Sequence, residues 1–285
     1  MGSAPRVVVG GMTTVPNLIL GGGIAIPQLG FGVYKVPPAD TGKAVLSALE
    51  AGYRSIDTAK LYGNEREVGE ALRESGVPRE DVFVTTKLWN DDHGHDSALR
   101  AFDRSLAQLG LDHVDLYLIH WPQPRRDEYV PTWRALTELR EQGRVRAVGV
   151  SNFQPAHLRR LIDETGVTPS INQVELHPLL PQRELRAFHA EHGIVTEAWA
   201  PLARTAVFDH PVVTGLAARY DRTPAQVLLR WHVELGNVAI PKSVTPSRIR
   251  ENLDVFDFAL TEDDLAEIAT LENGTRTGPD PDTMG

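Results

Sequence analysis

The chain of 285 residues contains no cysteine. That removes disulfides, thiolate nucleophiles and cysteine-based metal sites. No apolar run approaches the roughly 18 residues that a membrane span requires. The N-terminus offers one arginine and the short run Val7-Val8-Val9, too little for a signal peptide. Basic residues are outnumbered, 29 against 38, for a net charge of -9. Such a surface argues against general nucleic-acid or anionic-membrane binding, yet leaves room for a local basic pocket. The histidine pairs His93/His95 and His189/His192 lack the carboxylate spacing of H-E-x-x-H, so no metal site is expected. The glycine motif G-x-G-x-x-G is incomplete as well. Gly30-Phe31-Gly32 continues as Val33-Tyr34-Lys35, which counts against a doubly wound dinucleotide-binding sheet. The absence of cysteine suits a cytoplasmic protein.

What is present is an alternation of two periodicities. β-rich runs, apolar on both faces, occupy Val82 to Thr86, Val114 to Ile119, Val145 to Val150, Ile171 to Val174, Ile194 to Trp199 and Val238 to Ile240. Buried parallel strands read this way. Weaker strands are expected at Gln28 to Gly32 and Tyr53 to Ile56. Between them lie amphipathic stretches. Leu99, Phe102, Leu106 and Leu109 share a helical face behind a cap at Asp96, and Pro131 opens the next helix. Thr223-Pro224-Ala225-Gln226 has the order of a capping box, and Thr261 caps a last helix enclosing Leu265, Ile268 and Leu271. Eight such alternations without a composition break predict one (β/α)8 TIM barrel over residues 14–285. Residues 1–13 read as a flexible tail. Val15 to Ile26, with Gly21-Gly22-Gly23 at its centre, reads as a β-hairpin before the barrel, plugging its bottom.

Barrel enzymes carry their chemistry at the C-terminal ends of the strands. Asp57, Lys87, His120, Ser151-Asn152, Gln173, Glu175, Trp199 and Lys242 each end an apolar run or lie close beside it. Singly, each suits a helix cap, an edge charge or a satisfied backbone group. Jointly, they bring a carboxylate, an ammonium and an imidazole to one rim, and Tyr62 follows Asp57 by one short loop. A carbonyl that accepts hydride develops negative charge on oxygen and needs a proton there. Tyr62 can supply it. Lys87 is expected to lower the Tyr62 pKa, Asp57 to hold Lys87, and a neutral His120 to donate to the same oxygen.

Longer segments point further: Gly52-Tyr53-Arg54-Ser55-Ile56-Asp57-Thr58-Ala59, Tyr62-Gly63-Asn64-Glu65, Thr86-Lys87-Leu88-Trp89, Asp115 to Pro122, Gly149 to Phe153, Asn172 to Pro178, Ile240-Pro241-Lys242-Ser243 and Asn252 to Phe258. In this order they resemble the aldo-keto reductase superfamily, most of all its bacterial 2,5-diketo-gluconate reductases and related aldehyde reductases, over roughly residues 14–283. The resemblance implies NADPH-dependent reduction of aldehydes, ketones or keto-sugars. Its tetrad would be Asp57, Tyr62, Lys87 and His120, with Tyr62 as general acid. It implies that Ser151, Asn152 and Gln173 hold the nicotinamide carboxamide and that Trp199 stacks on its ring. Gly32, Val33, Pro201 and Leu202 would run along the cofactor. Lys242, Ser243, Val244, Arg248, Glu251 and Asn252 would hold the adenosine end. Tyr34, Trp89, His120 and Trp121 would shape the pocket for a small carbonyl substrate.

Three departures stand out. Ala200 to Thr205 lacks the glycine-rich loop common in such enzymes. Thr245 stands where some carry a basic residue. The short C-terminal tail suggests an open, tolerant pocket. A monomer is expected, with an oligomer left open. Two other functions compete: a cofactor-binding regulatory subunit, which the intact tetrad disfavours, and a barrel isomerase or aldolase, which would ignore NADPH.

Overall fold

The computed structural model describes residues 15–284, so the expected tail at 1–13 lies outside the described residues. A hairpin, β1 (Asn17–Leu20) and β2 (Ile24–Pro27), comes first. Its turn places Gly22 and Gly23 at φ 82° and 79°, a left-handed pair that side chains disfavour. Then β3 (Phe31–Gly32), α1 (Pro38–Ala51), β4 (Ser55–Asp57), α2 (Glu65–Glu74), β5 (Phe83–Leu88), α3 (His95–Leu109), β6 (Val114–Ile119), α4 (Tyr129–Glu141), β7 (Val145–Ser151) and α5 (Pro155–Thr165) alternate. The series continues through β8 (Ile171–Glu175), α6 (Arg183–His192), β9 (Val195–Trp199), α7 (Pro211–Tyr220), α8 (Pro224–Glu234), β10 (Val238–Ala239), α9 (Pro246–Leu253) and α10 (Glu262–Ala269).

Strands β3 to β10 form one eight-stranded parallel sheet in sequence order. It curls until its edges meet. Leu29 bridges Ala239 in parallel, and the Gly30 N–H donates to Ala239 O at 2.9 Å. Strands β5 and β6 are buried along their whole length, as their unbroken apolar runs require. The hairpin covers the opposite end from the strand C-termini. Leu20 and Ile26 pack with Phe83, Leu116, Ile171 and Val238 inside the barrel, so the hairpin is the plug that its sequence suggested.

The caps at Thr223 and Thr261 form as expected, each with a reciprocal capping box. Three boundaries differ. Gly94, not Asp96, caps α3, and Asp96 lies in the first turn against His95. Helix α4 begins at Tyr129, two residues before Pro131. The first turn tolerates a proline because its N–H groups need no helical partner. Leu271 is buried but lies just beyond the end of α10.

Candidate active site

A cleft of about 430 Å³ opens at the C-terminal ends of the strands. Fourteen of the residues singled out from sequence line it: Gly32, Tyr34, Asp57, Tyr62, Trp89, His120, Trp121, Ser151, Asn152, Gln173, Trp199, Pro201, Leu202 and Lys242. Lys87 is fully buried beneath its floor. Val33 is buried behind the wall, its N–H bonded to Asp57 O. Ser243, Val244, Arg248, Glu251 and Asn252 lie outside the cleft wall, on the segment that leaves β10 and enters α9.

The strand register builds the reacting end. Asp57 ends β4, Lys87 sits near the end of adjacent β5, and His120 follows β6. Lys87 Nζ donates to Asp57 Oδ1 at 2.6 Å, to Thr58 O at 3.0 Å and to Tyr62 Oη at 3.4 Å. Tyr62 is carried there by a single 3-10 turn, Lys60–Tyr62, that follows β4. The His120 ring meets Tyr62 edge-on at 5.8 Å and Trp89 at 5.2 Å, while Tyr34 lies 5.0 Å from Tyr62. Tyrosine, ammonium, carboxylate and imidazole therefore share one pocket floor.

Burial sets their protonation. It pushes the Tyr62 phenol up to about 12, although Lys87 pulls it down. The expectation that Lys87 lowers this pKa holds for its own contribution, but desolvation is larger and the net direction is upward. Tyr62 thus keeps its proton at neutral pH. Burial opposes the charge on Lys87, but Asp57 and Tyr62 overcome it and hold the ammonium above its ordinary value. Burial and Lys87 hold His120 well below the ordinary histidine range, so the imidazole is neutral. Its Nδ1 is buried without a hydrogen-bond partner among the described residues.

One wall of the floor is a chain of amides. Gln173 Nε2 donates to Asp57 Oδ2 at 2.9 Å and to Glu197 Oε2 at 2.8 Å. Asn152, in the left-handed region at φ 65°, donates from Nδ2 to His120 O at 3.0 Å and to Ser151 Oγ at 3.1 Å. Ser151 Oγ donates to Gln173 O at 2.7 Å, and the Trp199 indole N–H donates to Asn152 Oδ1 at 2.8 Å. Glu197 is buried in the middle of β9. Sequence reasoning passed over it, although a lone carboxylate within an apolar strand was the available signal.

The outer end is different in kind. Lys242 and Arg248 are exposed, and neither forms an ion pair with a described residue. Glu251 accepts from Thr223 Oγ1 at 2.8 Å, which ties α9 to the start of α8, and Asn252 is buried. An exposed cation pair beside the first turn of a helix can meet a phosphate.

Two segments roof the cleft. Residues 200–205 carry left-handed backbone at Ala200, Ala203, Arg204 and Thr205, with φ between 48° and 70°. Side-chain-bearing residues thus fill conformations that glycine adopts freely. The C-terminal segment also reaches the cleft, through Pro279 and Met284. Its anchor is buried Glu175. The carboxylate accepts from the Thr277 N–H, from Thr277 Oγ1 at 2.6 Å and from the Gly278 N–H at 3.2 Å, with His177 Nε2 3.0 Å away. A side chain at Gly278 would overlap the Trp199 ring. The short tail therefore lines the pocket instead of standing clear of it. It narrows one side, held by the Glu175 carboxylate and, at its far end, by Gln123 Nε2 donating to Met284 O at 3.3 Å.

The profile of the Aldo/keto reductase family matches residues 19–273. The chain is 57% identical over 269 residues to an aldo-keto reductase of Mycolicibacterium smegmatis, covering 94% of this chain and 98% of that one. It is 55% identical over 262 residues to methylglyoxal reductase DkgA of Escherichia coli, covering 91% and 94%. Among solved structures, an aldo/keto reductase of Brucella melitensis superposes with a TM-score of 0.88 at 53% identity, over 91% of this chain and 100% of that one. A mutant of Gox0644 in complex with NADPH superposes with a TM-score of 0.92 at 46% identity, over 96% and 100%. This chain belongs to the aldo/keto reductase family.

Proposed function

We propose that the protein is an NADPH-dependent carbonyl reductase that turns aldehydes and ketones into alcohols, with Tyr62 as proton donor. The observation that carries this reading is a half-buried Tyr62 whose hydroxyl is held 3.4 Å from the Lys87 ammonium at the floor of a cleft. NADPH, when bound, supplies the hydride. Negative charge then gathers on the substrate oxygen, and the donors aimed at that position lower its cost. Tyr62 gives its proton there. Lys87, fixed by Asp57 and Thr58 O, favours the phenolate left behind. Neutral His120 adds a second donor without competing as an acid.

The residues fit the cofactor. The amide wall of Ser151, Asn152 and Gln173 suits the carboxamide, and Trp199 offers a ring face to the nicotinamide. Gly32, Pro201 and Leu202 line the path outward, with Val33 behind it. Lys242, Ser243, Val244, Arg248, Glu251 and Asn252 would hold the adenosine end, with the two cations available to the 2′-phosphate. Tyr34, Trp89 and Trp121 bound the substrate space. A small, compact carbonyl suits it, such as an α-oxoaldehyde, an α-keto compound or a keto-sugar. The likeness to methylglyoxal reductases supports this range. All the named groups come from one chain, so a monomer suffices. The reaction belongs in the cytoplasm, where bacteria keep NADPH, and no helix among the described residues is long and apolar enough to cross a membrane.

An NADPH-depletion assay across aldehydes, α-keto compounds and keto-sugars tests the reading. Turnover of small α-oxoaldehydes is expected. Tight NADPH binding with no turnover on any carbonyl would instead indicate a regulatory subunit.

A further inference from the structure

We infer that Glu197 is a positioning residue for cofactor recognition: it locks the Gln173 amide so that the cleft wall presents hydrogen-bond acceptors to the amino group of the nicotinamide carboxamide. The inference rests on the cofactor reading given above and adds a residue to it.

A glutamine amide has two N–H groups, and both are spent here on carboxyl oxygens, Asp57 Oδ2 at 2.9 Å and Glu197 Oε2 at 2.8 Å. Burial and Asp57 push the Glu197 carboxyl up to about 8, so it accepts here through its carbonyl oxygen; flipping the amide would set its oxygen against the Asp57 carboxylate, acceptor against acceptor. The flip is therefore closed, and Gln173 Oε1 is the amide atom left for the cleft that Gln173 lines. Asn152 follows the same logic. Both Nδ2 protons go to His120 O and Ser151 Oγ. Its Oδ1 takes one bond from the Trp199 indole and keeps a second lone pair. The Ser151 hydroxyl proton is spent on Gln173 O. The wall is thus rich in acceptors and short of free donors. A primary carboxamide offers two N–H donors on one nitrogen, which is the complement.

Glu197 forms no hydrogen bond with Tyr62 or Lys87. A buried carboxylate is costly unless its bonds do something. Its one hydrogen bond among the described residues goes to the amide whose orientation decides what the wall offers. Asp57 alone would engage only one of the two N–H groups. The other would be stranded in the barrel, and the amide would tilt to satisfy it.

Calorimetric titration of NADP+ and of its 3-acetylpyridine analogue separates this role from a merely structural one. The analogue carries a methyl group where the carboxamide carries its amino group. Glu197→Met is expected to weaken NADP+ roughly three- to tenfold, the range of one lost neutral hydrogen bond. The analogue should change by less than about twofold, since it has no N–H to lose. Glu197→Gln keeps an oxygen acceptor at the same reach and should retain the wild-type preference for NADP+. Glu197→Ala gives the same comparison should methionine disturb the packing. Equal weakening of both ligands, or no weakening of NADP+, overturns the inference while leaving the reductase reading intact. Failure of the wild-type protein to bind NADP+ overturns both.

Discussion

The two ends of the cleft hold their charges in opposite ways. At the floor, Lys87 and Asp57 are almost fully buried, and every nitrogen and oxygen that joins them to Tyr62 and Gln173 has a fixed partner. At the outer end, Lys242 and Arg248 are exposed and carry no carboxylate partner among the described residues. Desolvation makes floor electrostatics strong and costs reorganisation in advance, during folding. Solvent keeps the outer cations weak but free to meet a ligand, and salt screens them. On the proposed reading, the floor would change a rate, and the outer end would choose the cofactor.

Lys87→Met should break the comparison most severely. It removes the cation and leaves Asp57 buried with Gln173 alone. Reductase turnover should fall to background. Stability should drop by about 3–5 kcal/mol, the cost of stranding one member of a buried pair, while circular dichroism still reports a folded barrel. Any residual activity should lose the ionisation that belongs jointly to Tyr62 and Lys87. A variant with an unchanged pH–rate profile would show that the ammonium plays no part in the proton transfer.

Arg248→Ala probes the outer end and should behave as its opposite. One charge-assisted contact to the 2′-phosphate is worth about 1.5–3 kcal/mol, so the NADPH dissociation constant should rise roughly tenfold to a hundredfold. NADH should hardly respond, and kcat at saturating NADPH should stay near wild type. Raising salt should weaken NADPH more than NADH. If the variant weakened both cofactors equally, the preference would have to lie elsewhere, with Lys242 as the next cation to test.

Gly278→Ala gives a smaller, sharper test, because it acts on the roof that joins the two ends. The methyl group must displace either the tail or the Trp199 indole. The expected result is a severalfold rise in KM for the carbonyl substrate, with the Tyr62 chemistry unaltered. A change confined to kcat would mean that the tail acts on the reacting groups rather than on the shape of the pocket.

Much of the floor was legible because burial and chemistry meet at the ends of apolar runs. Asp57, Lys87 and His120 each stand at or beside the place where a strand stops, and the barrel brings those stops together. Gln173 lies in the middle of β8 and was legible only because the apolar run there breaks off one residue later, at Val174. The hairpin was legible for a similar reason, since paired glycines between two short apolar runs leave few alternatives. Other features depend on quantities that a chain does not display. The direction of the Tyr62 pKa turned on the degree of burial, which no local pattern records. The hold of Glu175 on Thr277 joins residues 102 apart, and no spacing rule spans that distance. Glu197 stayed hidden because it interrupts a strand rather than ending one. The cap of α3 was misplaced for a local reason. Asp96 has the chemistry of a cap, but Gly94, at φ 101°, takes the backbone turn that a side chain resists.

The proton held by Tyr62 is the centre of the proposed reaction. Tyr62→Phe removes one oxygen and leaves the ring against Tyr34 and His120. Single-turnover reduction of a small aldehyde, measured with pre-bound NADPH, isolates the chemical step from binding and release. The account predicts a rate lower by roughly a hundredfold to ten-thousandfold, with the NADPH dissociation constant unchanged. A variant that reduces the aldehyde at near the wild-type rate would contradict it and move the proton donor to another residue of the floor.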